Sequence, residues 1–513
     1  MNRLTFICAG TTDQQLLTVR AVDALKRADR VVADPGTESL LAGLVRHDAD
    51  VAVVDGTLAQ RKKAIATAVK DAAQTVRLIA GDPVLDGVLA LELQALAGTA
   101  HIDVVPGIST AAAGAAFSGI SLTAGKSREL RVLDANDTHI DWSQYIDART
   151  TLVITRGADN ASVIMKKLES AGRDPKTPFR IIRDIGTTKQ RTVTGTLGDA
   201  SAVISAARHS GDGVIIVGES VGTAVDWFEH KPLFGWQILL PRTKDALDGL
   251  DAELRMFGAT TTQVATLSVE PPRTPQAMEK AISGVAGGRF GWIVFTCANS
   301  FNAVWDKLRD YGLDARALAG VQLAAVGDDT VAAMETKGLA VDMQAVANTT
   351  DLLDMFPDPV RGDERVNRVL IPRADIATES LASGLTELGW EVEEVTAFRT
   401  VRSAPPESTI RDAIKSGGFD AVVFTSSATV RNLIGIAGKP HAQSLVACIG
   451  PQTAKTAEEH GLEVDVIAGE PTHAALIDAL ISRAFDLQAE AFASGQTQWR
   501  PTKRRSTARR KAK

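Results

Sequence analysis

Short apolar runs alternate with longer helical stretches along the first 232 residues. Each run is rich in β-branched residues and ends at a turn that contains Gly, Pro or Asp. Strands separated by helices in this way predict parallel sheets covered by helices, an α/β fold. Ligands of such folds bind at the carboxyl ends of the strands. The predicted strands lie in RLTFICAG, RVVAD, VRLIAGDP, IDVVPG, TLVITRG, FRIIRDIG and GVIIVGES.

The second half of the chain repeats itself. The segment ILLPRTKDA at 238–246 returns as VLIPRADIA at 369–377, so that Arg242 corresponds to Arg373. Two further pairs follow in the same order, IVFTCANS with VVFTSSAT and LAAVGDDT with VACIGPQT. A repeat of this length predicts two similar α/β domains rather than a solenoid of short units. We place the seam with the first half near Pro232.

Composition limits the class of protein. A chain of 513 residues is too long for one hydrophobic core and predicts about three or four compact units. No apolar run approaches the roughly 20 residues needed to cross a bilayer, and the first residues lack the features of a signal peptide. We therefore expect a cytoplasmic protein without a membrane partner. Cys8, Cys297 and Cys448 lie far apart in apolar runs, which predicts buried free thiols.

Positive charge is concentrated at the end of the chain. The last fourteen residues, RPTKRRSTARRKAK, contain eight Lys or Arg and no acidic residue. Subtracting these charges from the net charge of −6 leaves −14 on the rest of the chain. Because this segment lacks apolar residues for a core, we expect residues 487–513 to form a basic, disordered tail. Such tails are usually only solvated; nonspecific contact with nucleic acid or another acidic surface is the alternative.

Hydroxyl side chains cluster where strands of the second half run into helices. VVFTSSATV ends in Thr425, Ser426 and Ser427, and CIGPQT places Gly450 before a helix that contains Thr453. The unpaired N–H groups and the dipole of a helix N-terminus bind carboxylates or phosphates. The alternative is that each hydroxyl only caps its helix. Four such turns in two similar domains favour a shared anion-binding cleft.

Residues 235–486 resemble uroporphyrinogen-III synthase. The matching phrases, in the order of that family, are ILLPRT, WIVFTCANS, AAVGDDT, VLIPRADIATESLASGLTELGWEV, AFRTV, FDAVVFTSSATV and CIGPQTAKTAEEHGL. The resemblance implies two similar α/β domains within residues 233–486, joined by a two-stranded linker. The first domain would combine 236–264 with 403–486, and the second would be 272–396.

This resemblance also implies a reaction. The family closes the linear hydroxymethylbilane into uroporphyrinogen III, with inversion of the last pyrrole ring and without metal or organic cofactor. Thr453 aligns with an important threonine of the family and would hydrogen-bond the departing hydroxyl group. Where many members have a tyrosine, this chain has Phe398.

The substrate of that reaction carries carboxylates, so we expect donors around a cleft. Arg242 and Arg373 each end a strand, where a guanidinium can bind a carboxylate through two hydrogen bonds. Equally, each could pair with a nearby acid such as Asp245 or Asp375. The predicted substrate-binding residues are Arg242, Thr296, Ser300, Arg373, Thr425, Ser426, Ser427 and Gly450.

Residues 1–232 resemble uroporphyrinogen-III C-methyltransferase. The phrases that carry the likeness are DQQLLTVRAVDALKRADRVVAD, VRLIAGDP, VVPGISTAAAGAAFSGISLT, TLVITRG and GTTKQRTVTGTL. The resemblance implies two lobes, 1–120 and 121–232, and a homodimer through this half is a further option. It also implies methylation of uroporphyrinogen III by S-adenosyl-L-methionine, towards precorrin-2 and sirohaem or cobalamin.

The cofactor side of this half is altered. The glycine-rich loop of the family has become CAGTTD, in which Cys8, Thr11 and Thr12 replace family residues, and Arg156 stands where a methionine is usual. Asp34 survives from a substrate-side turn and is the candidate for proton removal. The predicted cofactor-binding residues are Gly10, Asp13, Gly81, Asp82, Pro83, Ser109, Thr110, Arg156 and Gly186.

Three functional hypotheses follow. The leading one is a bifunctional enzyme that makes uroporphyrinogen III and methylates it. In the second, the altered CAGTTD loop marks the first half as a non-catalytic scaffold or cofactor sensor, and only the synthase is active. In the third, the second half senses a ligand and the basic tail contacts DNA; no helix-turn-helix pattern in the sequence supports that hypothesis.

Overall fold

The computed structural model describes residues 2–11, 13–211, 213–243, 249–345, 349–360, 367–375 and 380–494. The chain divides into two compact units, of which unit one is Met1–Trp236 with Leu254–Thr260, and unit two is Gln237–Glu253 with Thr261–Lys513. The break at Trp236 lies close to the seam that we predict near Pro232. The finer domain boundaries stay predictions.

The first lobe of unit one is a five-stranded sheet in the order β3-β2-β4-β1-β5, and all its strands are parallel. Helices follow the strands, as the alternation of apolar runs predicts. The strands are β1 (Arg3–Cys8), β2 (Arg30–Ala33), β3 (Asp50–Val53), β4 (Gln74–Ile79) and β5 (His101–Val105). The helices are α1 (Val19–Arg27), α2 (Leu58–Asp71), α3 (Val88–Leu96) and α4 (Thr110–Phe117).

The second lobe has a mixed sheet in the order β6-β7-β10-β8-β9. Its strands are β6 (Glu129–Asp134), β7 (Thr150–Thr155), β8 (Pro178–Arg183), β9 (Arg191–Thr196) and β10 (Gly213–Val217), with helices α5 (Ala161–Ser170) and α6 (Ala200–Ala207). The prediction of a parallel sheet was wrong here, because β10 is antiparallel to both β7 and β8. Every residue of β10 is buried, and such an apolar run identifies a central strand without revealing its direction.

Unit two contains one ten-stranded sheet in the order β15-β14-β13-β16-β17-β12-β11-β18-β19-β20. The long strands β12 and β17 pair antiparallel at its centre. One parallel group lies on each side of this pair. The pair is therefore the two-stranded linker between similar domains that the resemblance implies. The strands are β11 (Gln237–Thr243), β12 (Thr260–Glu270), β13 (Trp292–Phe295), β14 (Gln322–Val326), β15 (Met343–Ala345), β16 (Arg368–Ala374), β17 (Glu391–Arg402), β18 (Ala421–Phe424), β19 (Leu445–Cys448) and β20 (Val466–Ile467).

The two parallel groups have the same internal order. The strand order β16-β13-β14-β15 in one group corresponds to β11-β18-β19-β20 in the other, in agreement with the repeat in the amino-acid sequence. The helices of this half are α7 (Leu250–Met256), α8 (Gln276–Ala286), α9 (Ala298–Asp310), α10 (Asp328–Glu335), α11 (Thr349–Met355), α12 (Ser380–Glu387), α13 (Ser408–Ser416), α14 (Ser427–Ala437), α15 (Pro451–Glu459) and α16 (His473–Ala493).

The last helix differs from the prediction. We placed the start of the disordered tail at residue 487, but α16 continues to Ala493. Leu487 and Ala491 are buried and extend the apolar stripe of Leu480 and Ala484, so packing rather than terminal position determines where the helix ends. Residues 495–513, with the basic cluster, lie outside the described part. Among the described residues, no helix is long and apolar enough to cross a membrane.

A buried group of charges fixes the first lobe. Arg77 on β4 and Glu92 on α3 are both inaccessible to solvent, and Arg77 Nε lies 2.9 Å from Glu92 Oε2. Arg61 pairs with the other Glu92 oxygen at 2.9 Å. Burial opposes the charged form of Arg77, but its hydrogen bond to Glu92 and the charge of Asp34 outweigh that penalty and raise its pKa. Strand β4 is therefore tied to α3 by an ion pair that is fully satisfied.

Glu92→Ala should destabilise the first lobe by about 3 kcal/mol, because it removes the buried carboxylate that faces Arg77. Hydrogen exchange of the β1 and β4 amides in the full chain measures this loss. Glu129→Ala is the control, because Glu129 pairs with Arg131 on the surface and should cost less than about 1 kcal/mol. Equal effects of the two substitutions would contradict the structural role of the buried pair.

Candidate active sites

A cavity of about 330 Å³ lies in unit one; we call it the interlobe pocket. Its lining combines Gly10 and Gly81, from the carboxyl ends of β1 and β4, with Arg156 and Asp184, which follow β7 and β8. Thr110, at the start of α4, also lines it. Both lobes therefore contribute strand ends to one pocket, as expected for a ligand site in an α/β fold.

Different constraints act on the two glycines of the pocket, Gly10 and Gly81. Their backbones pair directly, since Gly10 N donates to Gly81 O at 3.0 Å, and both have positive φ angles, 66° and 67°. A Cβ atom at Gly10 would clash with the Ile108 carbonyl oxygen. At Gly81 it would come no nearer than 3.6 Å to Asp86 Oδ2. Packing therefore requires glycine at Gly10, whereas Gly81 leaves its backbone open towards the pocket.

The other predicted cofactor residues do not line the interlobe pocket. Two of them are caps, since Asp13 accepts from Gln15 N and Ser109 accepts from Ala112 N. Asp82 accepts from Val84 N within a turn. Gly186 has a φ of 77°, and a Cβ there would press on the ring of Phe117. Pro83 is part of the turn that leads into α3, where its carbonyl accepts from Leu89 N. Thr12 lies outside the described residues.

Backbone strain marks the interlobe pocket. In the described part of the chain, three residues other than glycine have a positive φ angle, and two of these, Arg156 (55°) and Asp184 (50°), line the pocket. Such conformations cluster at binding and catalytic sites because the surrounding structure must hold them in place. The prediction missed Asp184, since a sequence carries no signal for a left-handed aspartate.

Arg156 is held by acids from both lobes. Its Nε donates to Asp134 Oδ1 at 3.0 Å, and its Nη2 donates to the second oxygen of the same carboxylate. Its Nη1 lies 3.6 Å from Asp86 Oδ1. The hydrogen bonds from Arg156 lower the pKa of Asp134. A guanidinium with carboxylates on two sides thus occupies the position that is usually methionine in the resembling family.

Asp34 is bound through both carboxylate oxygens. Arg77 Nη2 donates to Oδ1 at 2.5 Å, and Ala80 N donates to Oδ2 at 3.1 Å. These bonds tie the turn before Gly81 to the buried Arg77. Because both carboxylate oxygens are already engaged by donors, the geometry supports a positioning role for Asp34 more directly than proton removal.

The second site is formed by two helix N-termini in unit two. Helix α14 begins after Ser426, whose Oγ accepts from Thr429 N at 3.3 Å. Helix α15 begins after Gly450, which offers no side-chain cap, and its first turn has no acidic residue. Thr453 lies in that turn and is 5% exposed. Within the part of the chain that the structure describes, the Thr453 hydroxyl makes no hydrogen bond, so it can serve a ligand.

The repeated turn in the other domain has a different chemistry. Helix α10 begins with Asp328 and Asp329, where an anion would be repelled. Thr330 corresponds to Thr453 in the repeat, and its Oγ1 donates to Val326 O at 2.7 Å. Ser300 in α9 is fully buried and donates to Cys297 O at 2.7 Å. Hydroxyls of this domain therefore satisfy backbone carbonyls, which favours the structural alternative for Ser300.

A hydroxyl pair joins the two helix starts of the second site. Ser427 Oγ, on α14, donates to Gln452 O, on α15, at 3.1 Å. Thr456 Oγ1 lies 2.9 Å from Ser427 Oγ and 3.0 Å from Gln452 O. Thr456 is 3% exposed and was not predicted as a site residue. We call Ser427, Gln452 and Thr456 the hydroxyl tie; it fixes the turn that carries Thr453.

The remaining predicted residues are placed less directly. Arg373 pairs with Glu394, with Nε 3.2 Å from Oε1, rather than with Asp375. Arg242 is buried, and its carbonyl oxygen accepts from Thr266 Oγ1 at 3.2 Å. The suggested partner Asp245 lies outside the described residues. Thr296 and Thr425 are half-buried at the ends of β13 and β18.

Phe398 and the cysteines provide no polar chemistry. The Phe398 side chain is buried in the core cluster that includes Phe301, so a tyrosine there would need a partner for its hydroxyl. Burial raises the pKa of the Cys448 thiol to about 12 and also raises that of Cys8. Both thiols are therefore neutral near pH 7 and unsuited to nucleophilic attack. The three cysteines are free, as predicted, but only Cys8 and Cys448 are buried; Cys297 is half-buried, so the prediction of burial was wrong for that residue.

The fold and the two sites define a two-part α/β enzyme of tetrapyrrole biosynthesis, and two family models show this. Residues 3–201 match the Tetrapyrrole (Corrin/Porphyrin) Methylases, and residues 248–478 match Uroporphyrinogen-III synthase HemD. Each half of the chain is thus similar to one of these two families. Both predicted resemblances are thereby confirmed.

Curated relatives match the whole chain or a part of it. The porphyrin biosynthesis protein HemD of Ruminiclostridium josui is 27% identical over 515 residues, which cover 93% of this chain and 97% of that protein. The uroporphyrinogen-III C-methyltransferase of Bacillus subtilis is 27% identical and covers 66% of this chain and 72% of its own. A siroheme synthase of Neisseria meningitidis serogroup C is 31% identical over 44% of this chain, which spans about half (50%) of that relative.

Solved structures align with each half separately. Uroporphyrin-III C-methyl transferase from Thermus thermophilus, complexed with S-adenyl homocysteine, is 27% identical, covers 43% of this chain and 100% of its own, and has a TM-score of 0.39. A mutant uroporphyrinogen III synthase from the same organism is 18% identical, covers 49% of this chain and 99% of its own, and has a TM-score of 0.34.

Thr456→Val should slow the synthase about tenfold in kcat with little change in KM, because it removes the Thr456 hydroxyl from the hydroxyl tie while keeping the shape of the side chain. Thr456→Ser should restore most of the rate. Steady-state kinetics of the full chain provide both constants. Thr336→Val is the control, since Thr336 makes a similar bond to a helix carbonyl on the surface of the other domain. An unchanged kcat in Thr456→Val would show that the hydroxyl tie does not support catalysis.

Proposed function

We propose that the second half converts hydroxymethylbilane into uroporphyrinogen III and that the first half methylates this product with S-adenosyl-L-methionine. The observation that carries the first part is the unbonded Thr453 hydroxyl at a helix start without acidic residues. The substrate bears carboxylates, which the N–H groups of α14 and α15 can bind. No such arrangement exists at the acidic start of α10.

Ring closure needs a leaving group to depart and a reactive intermediate to be held. The hydroxyl of hydroxymethylbilane and the N–H proton of its pyrrole ring leave together as water, which leaves an azafulvene, and Thr453 stabilises the departing oxygen by donating a hydrogen bond. A carbon of the last pyrrole ring then attacks, and the ring is inverted. The remaining task is positioning, since an oriented intramolecular attack gains most of its rate from fixed geometry. The hydroxyl tie keeps the Thr453 turn fixed during that step.

Thr453→Ala should slow ring closure by about ten- to ten-thousandfold, the range for loss of a positioned hydrogen-bonding group, and Thr453→Ser should recover much of it. Formation of uroporphyrinogen III is measured against spontaneous closure to isomer I. Thr330→Ala is the matched control, because Thr330 is the counterpart in the repeat and its hydroxyl serves a backbone carbonyl. Wild-type turnover in Thr453→Ala would rule out the proposed role.

The interlobe pocket fits a nucleoside cofactor by size and chemistry. Its volume of about 330 Å³ lies within the range of about 300–1,000 Å³ that is typical of small-molecule sites. The open backbone at Gly81, the hydroxyls of Thr110 and Thr155, and the carboxylate of Asp184 line it. S-adenosyl-L-methionine would supply an electrophilic methyl group there. The residues of the chain bind and orient that cofactor and exclude water.

One observation favours the alternative that this half is a scaffold or a cofactor sensor. Arg156 and Asp86 both line the pocket and form an ion pair there. A cofactor that enters must compete with this pair for space and for hydrogen bonds. The scaffold hypothesis predicts no cofactor binding, and the sensor hypothesis predicts binding without methyl transfer.

The cytoplasmic location, a homodimer through the first half and nonspecific contacts of the tail stay predictions.

Gly81→Val should abolish binding of S-adenosyl-L-methionine up to millimolar concentration, because a branched side chain blocks the approach to the open backbone. Calorimetric titration of the full chain measures binding. Gly98→Val is the matched control: Gly98 has a similar φ of 78° and open space around it, so it shares the backbone strain without touching the pocket. Absence of binding in the wild type would leave the scaffold hypothesis. Binding without methylation of uroporphyrinogen III would leave the sensor.

A further inference from the structure

The guanidinium of Arg156 joins the two lobes across the interlobe pocket. Two of its nitrogens bind Asp134 of the second lobe in the bidentate arrangement that fixes a guanidinium most firmly. The third nitrogen lies 3.6 Å from Asp86, which belongs to the first lobe and follows the Gly81 turn. Arg156 and Asp86 are both pocket-lining residues. The ion pair therefore joins residues of both lobes in the lining of the pocket.

The backbone holds this arrangement at some expense in energy. Arg156 adopts a left-handed φ of 55°, which is unfavourable for a long side chain. The side chains of Arg156 and Asp86 are 34% and 19% exposed, so salt can screen their attraction partially. The bonds to Asp134 orient the arginine, whereas the longer contact with Asp86 is the weaker of the two.

We propose that Arg156 is a gate that controls affinity for the cofactor: it closes the interlobe pocket through Asp86, and S-adenosyl-L-methionine enters only when that ion pair opens. This inference rests on the proposed cofactor site of the first half. Only the molecules with an open ion pair can then bind the cofactor. The apparent affinity is therefore the intrinsic affinity multiplied by the fraction of open molecules. Arg156 acts on specificity and affinity, and it takes no part in methyl transfer.

If the ion pair controls access, cofactor affinity should depend on ionic strength, whereas a purely steric obstacle would not give this dependence. Arg156→Met removes the ion pair and keeps a long side chain, so cofactor binding should become tighter by about tenfold at low salt. The ratio of the cofactor affinity of the variant to that of the wild type should fall towards one at high salt, because the Debye length falls from about 10 Å at 0.1 M salt to about 3 Å at 1 M. Asp86→Asn, which leaves the bond to Asp134, should give a smaller gain.

Calorimetric titration of the full chain with S-adenosyl-L-methionine and, separately, with S-adenosyl homocysteine measures these affinities at several salt concentrations. Arg149→Met is the control, because Arg149 pairs with Asp147 on the surface of the same unit and should leave binding unchanged. Thermal unfolding checks that each variant is folded, and Asp86→Asn carries the test if Arg156→Met is not.

Each outcome separates the gate from the proposed site. Affinity in Arg156→Met equal to or weaker than wild type would overturn the gate while leaving the cofactor site in place. A tighter affinity whose ratio to wild type does not change with salt would also overturn it, since the obstacle would then be steric. No binding by wild type or by any variant would overturn the proposed cofactor site itself, and the gate with it.

Discussion

Parallel strand pairing brings the loops that follow neighbouring strands to one edge of a sheet, and both candidate sites depend on this constraint. In the first lobe it brings Gly10 and Gly81, which end adjacent strands, into direct backbone contact. In unit two it places the starts of α14 and α15 side by side, after β18 and β19. The sheets bring these groups together, and the hydroxyl tie and the Arg156 ion pairs orient them.

The repeat in unit two shows how one fold can carry two different surfaces. The turns before α10 and α15 correspond in sequence and in strand order, yet one presents two aspartates and the other presents none. A helix N-terminus attracts anions only while its N–H groups and dipole are not already neutralised by its own acids. Duplication therefore supplies the geometry, and the side chains of the first turn decide which copy can hold a carboxylate-bearing substrate.

Local patterns predicted the strands and the repeat, because each depends on residues that are near in sequence. The family resemblance implied the two-stranded linker. Capping by Ser426 was the alternative to the predicted binding role, and the structure shows that cap. Long-range features were not predictable. The direction of β10, the continuation of α16 past residue 486 and the pairing of Arg373 with Glu394 arise from contacts between distant segments. In the pocket, the position of Arg156 was predicted, but its two acids and the strain at Asp184 became visible only in three dimensions.

The central claim is that one chain performs two consecutive steps on a tetrapyrrole. The most direct measurement supplies the purified full chain with hydroxymethylbilane and S-adenosyl-L-methionine that carries an isotopic methyl label, and determines the products by mass spectrometry. We expect a cyclised tetrapyrrole of the isomer III series that carries labelled methyl groups, formed without another enzyme. Accumulation of uroporphyrinogen III without label would contradict the claim for the first half, and isomer I alone would contradict it for the second.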